Sequence, residues 1–147
     1  MILAIDSGTT QSAFVQYDEC KSLIVDHGIL PNPEMRQILI GREYDLVALE
    51  MIASYGMPVG ASTFETCLWI GRFIEVARTE TRLVYRKEIK MYLCGSMRAK
   101  DGNVRQALID RLGAQGTKKD KGPTYGISSH SWAALAVAVY AANNNRK

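Results

Sequence analysis

The chain is 147 residues long, a length that suits one domain over residues 1–147, and a domain of that size buries roughly 70% of the surface its unfolded form exposes. Its 47% hydrophobic and 22% charged residues make an ordinary globular balance and exclude a disordered chain, while a net charge of +3 says little about partners. The longest apolar run, residues 132–142, falls well short of the roughly 20 needed to span a bilayer, and no basic region followed by a long apolar stretch opens the chain, so a cytosolic protein without membrane contact is expected.

The first predicted element is a buried strand, Ile2 to Ile5, ending at Asp6. The polar turn Ser7-Gly8-Thr9-Thr10 follows, then a second strand to Tyr17 and a third over residues 21–27 that stops at Gly28. Pro31-Asn32-Pro33 breaks the chain, with Asn32 as a cap, and residues 34–41 read as a helix with Met35, Ile38 and Leu39 on one face. Leu46-Val47-Ala48-Leu49 is a strand covered on both faces, ending in Glu50. After an irregular stretch over residues 51–60, residues 62–79 form an amphipathic helix whose inner stripe is Phe64, Leu68, Phe73 and Val76, and whose Gly71 admits a close neighbour. A fifth strand over residues 82–86, a short helical turn over 88–94, a helix over 101–112, a basic loop over 113–126 and a last helix over 129–143 complete the order. Three strands, then helix, strand, helix, strand and helices fit an α/β fold: a five-stranded mixed sheet with helices on both faces, the element order of a ribonuclease H-like fold.

Charge is unevenly spread. Residues 82–121 hold eleven Lys and Arg against four Asp and Glu, an excess of seven that attracts polyphosphates, nucleic acid above all. Cys20, Cys67 and Cys94 lack the spacing of a zinc site or a disulfide framework and are expected to be reduced and mostly buried.

The opening turn has two readings. Acidic turns of the form Asp-x-Gly-Thr open actin-like ATPases, and Asp-x-Gly opens metal-dependent nucleases of the ribonuclease H type. An actin-like ATPase clamps its nucleotide between two domains, so a length suited to one weighs against the first. Asp6 and Glu50 each end an apolar strand, and if those strands are neighbours the two carboxylates meet and repel unless a cation lies between them. His130 opens a last helix rich in small residues, from Ala133 to Ala138, whose close packing on the sheet would aim it at the same strand ends. His27 carries no assigned role.

Five segments, "ILAIDSGTTQSAF", "LVALEMIASYG", "TFETCLWIGRFIE", "VYRKEIKMYLCGSMRAKDGNVRQALIDRLG" and "GISSHSWAALAVAVYAA", resemble successive parts of RuvC-type Holliday junction resolvases, above all the shorter RuvC-like proteins of bacteriophages. The resemblance implies a metal-dependent endonuclease acting on four-way junctions and other branched DNA. It makes Asp6, Glu50 and His130 the catalytic metal ligands, for two Mg2+ ions with Mn2+ as substitute. Lys90 and Lys100 become DNA-backbone contacts, with Arg86, Lys87 and Arg98 around them, and the helix carrying Phe64, Trp69 and Phe73 becomes the centre of a homodimer. The loop holding Tyr55 and Met57 is placed to touch the junction centre. One position departs from the family pattern, which puts an aspartate one helical turn after the ligand at 130; here it is Ala133, leaving Asp101 or Asp120 as substitutes. A protein that binds branched DNA with little or no cleavage is the alternative.

Overall fold

Side-chain alternation along three adjacent strands sets the architecture. In the computed structural model, which describes residues 1–144, strands β1 (Ile2–Asp6), β2 (Gln11–Asp18) and β3 (Leu23–Pro31) form an antiparallel meander. Helix α1 (Asn32–Gly41) leads to β4 (Leu46–Met51), α2 (Ala61–Val76) to β5 (Thr81–Tyr85), and α3 (Arg86–Cys94), α4 (Asp101–Leu112) and α5 (His130–Asn143) follow. The sheet order is β3-β2-β1-β4-β5, with β4 parallel to β1 and β5 parallel to β4. This is the mixed five-stranded sheet expected from the order of elements.

Successive residues of a strand face opposite sides, so each strand feeds two cores. Ile2, Ala4, Leu46, Ala48 and Val84 pack with α5, Ile89 of α3 and Val104 and Leu108 of α4. Leu3, Ile5, Val47 and Leu49 pack on the other face with Met35 and Leu39 of α1 and Ile70 and Phe73 of α2. Helix α5 is buried almost throughout, and its alanines let it lie directly on β1 and β2. No helix among the described residues is long and apolar enough to cross a membrane.

Several expectations are corrected. Strand β3 does not stop at Gly28 but runs on to Pro31. Gly28 lies opposite Phe14, and a Cβ there would come within 3.3 Å of the Phe14 ring, so the glycine makes room within the strand instead of ending it. Asn32 is the first residue of α1, fully buried, and its side chain does not cap that helix. On α2 the buried residues are Thr66, Ile70 and Phe73, whereas Phe64 and Leu68 are each 62% exposed. Both faces of this helix carry apolar side chains, so periodicity alone could not say which one turns inward. Space around Gly71 is open, without the close neighbour expected. Residues 86–94 form a full helix, and the loop over 113–126 contains a short hairpin bridged between Gly116 and Lys121. Cys20 is exposed and Cys67 and Cys94 half-buried, so the thiols are free but not deeply buried.

Candidate active site

The last paired residues of β1 and β4 are Ile5 and Leu49, so Asp6 and Glu50 stand one step further along two neighbouring parallel strands. Alternation puts both on the α5 side, in line with Ala4 and Ala48. Strands in a sheet lie about 4.8 Å apart, so two carboxylates so placed cannot avoid each other. The third strand obeys the same rule. Val84 of β5 faces α5 opposite Glu50, and two residues on, Arg86 comes over the same side as α3 begins.

The resulting cluster is tightly paired. His130 Nδ1 lies 3.0 Å from Asp6 Oδ2, joining the first residue of α5 to the end of β1. Arg86 Nε donates to Glu50 Oε1 at 2.9 Å, and Arg86 Nη1 donates to Asp101 Oδ1 at 3.2 Å. Burial pushes the Asp6 carboxyl above its ordinary value, against the pull of His130 and Arg86. Glu50 is pushed up to about 7, first by burial and then by the Asp6 carboxylate, with Arg86 opposing. Glu50 Oε2 is buried without a hydrogen-bond partner.

Backbone geometry marks both sides of the cluster. Ser129, exposed just ahead of His130, has φ 49° and ψ −130°, a conformation that costs a non-glycine residue about 1–3 kcal/mol. On the other side, the buried Asn32 side chain donates to the Gly8 carbonyl at 2.9 Å and accepts from Ser12 Oγ at 2.5 Å. The backbone N–H of Asn32 donates to the Thr10 carbonyl at 2.9 Å, so the turn beside Asp6 is held from α1. Sequence reading missed both Asn32 in this role and the Arg86–Glu50 pair. The parity of β5 was the available signal for Arg86.

Open space adjoins the acids. One cavity of about 250 Å³ is lined by Asp6, Glu50, Thr66, Tyr55 and Arg86, and another of about 270 Å³ by Arg86, Asp101, Arg105, His130, Trp132 and Ala133. Lys90 follows Arg86 by one helical turn on α3, and Lys100 immediately precedes Asp101. Lys87 Nζ sits 3.8 Å from the centroid of the Tyr55 ring, tying α3 to the exposed loop that carries Tyr55 and Met57. Arg98 is exposed between α3 and α4. Asp101 is joined to the cluster through Arg86, while Asp120 belongs to the hairpin turn, where its N–H donates to Thr117 Oγ1.

Among the described residues no group of three or more His, Cys, Asp or Glu side chains is arranged to hold a metal ion. His130 is turned onto Asp6, and Glu50 onto Arg86. The donor set nevertheless suits a divalent cation: two neighbouring carboxyls with raised proton affinity, one with a partnerless buried oxygen, and an imidazole beside them.

No protein-family model matches the chain, and no curated protein matches it in sequence. Solved structures do match. The structure of Thermus thermophilus RuvC superposes with a TM-score of 0.72 at 17% identity, covering 99% of this chain and 95% of that one. The T. thermophilus RuvC in complex with a Holliday junction substrate superposes with a TM-score of 0.74 at 16% identity, covering 99% and 94%. The α/β architecture of this chain is therefore the ribonuclease H-like fold of RuvC, a likeness that at such identity concerns the fold alone.

Proposed function

We propose that this chain is a metal-dependent endonuclease that cuts branched DNA, four-way junctions among its substrates, and that it is related to the RuvC-like proteins of bacteriophages. The observation that carries the reading is the pair Asp6 and Glu50, set side by side at the ends of β1 and β4 and both penalised by burial. The solved RuvC bound to a Holliday junction substrate has the same fold, which supports the choice of substrate.

Asp6, Glu50 and His130 are the residues that would hold divalent ions. Mg2+, or Mn2+ in its place, would neutralise charge on the reacting phosphate and lower the pKa of a bound water. Asp6 and Glu50 contribute negative charge in a partly desolvated setting, and His130 fixes Asp6 Oδ2. Lys90, Lys100, Lys87 and Arg98 hold phosphates flanking the cut, which positions the strand without reading its sequence. A junction has near two-fold symmetry, so a two-fold dimer brings one site to each of two strands. The exposed Phe64 and Leu68 on α2 supply an apolar face for that dimer. Tyr55, which lines the cavity beside the acids, and Met57 in the same loop are 55% and 70% exposed and would meet the junction centre.

A second reading, binding of branched DNA with little or no cleavage, is favoured by Ala133 and by the absence of a three-donor cage among the described residues. Labelled four-way junction, fork and linear duplex, each incubated with Mg2+ and with Mn2+, separate the two. Paired symmetric nicks in the junction, with the linear duplex intact, are expected; tight junction binding with no product in either metal establishes the second reading.

A further inference from the structure

We propose that Arg86 is the resident counter-cation of the acid pair: it balances the site's charge in the absence of a divalent ion, competes with such an ion for Glu50, and when displaced is free to take a DNA phosphate. The proposal rests on the nuclease reading and adds a control over when that site takes metal. Its basis is the position of one side chain. From the first turn of α3, Arg86 reaches Glu50 Oε1 at 2.9 Å with Nε and Asp101 Oδ1 at 3.2 Å with Nη1, so a single guanidinium spans two carboxylates from different elements. It also lines both the cavity containing Asp6 and Glu50 and the cavity containing Asp101 and His130.

Two opposite effects on metal binding follow from that position. By holding Oε1 it fixes the Glu50 rotamer and leaves Oε2 without a partner, which favours a ligand on Oε2. By placing a fixed positive charge on the same carboxylate it repels any dication. Repulsion between a unit charge and a double charge sharing one partly buried carboxylate exceeds the benefit of one orienting hydrogen bond, so competition wins. Asp101 gives the guanidinium a second anchor outside the pair, and its side chain is 83% exposed, so that anchor yields at little cost. A phosphate arriving from solvent offers Arg86 a bidentate partner in place of both carboxylates.

The test is Mn2+ binding to the DNA-free full-length chain, followed by the electron paramagnetic resonance of free Mn2+ at low salt and mildly alkaline pH, where protons compete least for the carboxylates. Arg86→Gln is expected to bind Mn2+ about tenfold more tightly than wild type. Arg86→Lys, whose ammonium cannot fork onto both acids, is expected to fall between the two. Lys118→Gln, which removes an equal charge from the exposed hairpin, is expected to stay within about twofold of wild type. Thermal melting of each variant checks folding; should Arg86→Gln be unfolded, Arg86→Lys alone decides, tighter binding supporting the proposal and equal or weaker binding overturning it. Binding by Arg86→Gln that is no tighter than wild type, yet lost in Glu50→Gln, overturns the proposal, makes Arg86 a strut and leaves the metal site standing. Mn2+ binding that is absent throughout, or that survives Glu50→Gln, overturns both.

Discussion

Glu50 shows how a single residue links folding to chemistry. In the fold its carboxyl is pushed up to about 7, against an ordinary value of 4.5. Between these values the folded chain holds a proton that the unfolded chain has lost, so the stability of the metal-free protein falls as pH rises through that window, by on the order of 3 kcal/mol. Asp6, also raised by burial, adds to the loss with the same sign. Urea unfolding in the presence of a chelator, repeated across that pH range, should show the decline in wild type and a much flatter profile in Glu50→Gln; an equal slope in both would place the effect elsewhere. Asp6 and Glu50 were legible in the sequence because each interrupts an apolar strand with a charge that packing cannot use. The tie between Glu50 and Arg86 was not, because it depends on β5 lying beside β4, which local pattern does not reveal.

At the scale of elements, the junction of β3 and α1 has a function that sequence reading missed. Its place between two prolines marks Asn32 as a helix cap, yet its side chain turns away from α1 to hold Gly8 and Ser12. Asn32→Ala should therefore cost about 2 kcal/mol, since it leaves buried polar groups unpaired. Amide exchange should also quicken at residues 8–10, and a loss of stability without that local change would contradict the assignment. Helix α2 teaches a different lesson. Of the stripe expected inside, Phe73 is buried and Val76 packs half-buried on the core, but Phe64 and Leu68 are exposed, and Thr66 and Ile70 are buried in their place. A helix apolar on two sides fits the proposed dimer, packing once within the chain and once against a copy. Phe64→Asp with Leu68→Asp should leave the chain folded and yield a monomer by light scattering, with a melting temperature that no longer rises with protein concentration; a wild-type chain that is already monomeric at high concentration, with or without junction DNA, contradicts that dimer.

Over the whole molecule, the mixed five-stranded sheet, both helical layers and the placement of α5 agree with the order of elements read from the sequence, because apolar strands and an alanine-rich helix admit few arrangements. The basic half was equally legible as charge; Lys90 lies on α3 one turn after Arg86, and Lys100 immediately precedes Asp101 at the start of α4. Lys90→Ala and Lys100→Ala should each weaken binding to every DNA tested and reduce the salt slope by about one, as expected of phosphate contacts. Unchanged affinity at low salt would put them off the DNA path. The central claim, that the acids ending β1 and β4 carry out the cutting, is tested most directly by single-turnover cleavage of a labelled four-way junction in Mg2+ and in Mn2+, with junction binding measured in parallel. Wild type should cut, and Asp6→Asn and Glu50→Gln should lose on the order of a thousandfold in rate or more while binding the junction as tightly as before. Cleavage by either variant at the wild-type rate would contradict the account.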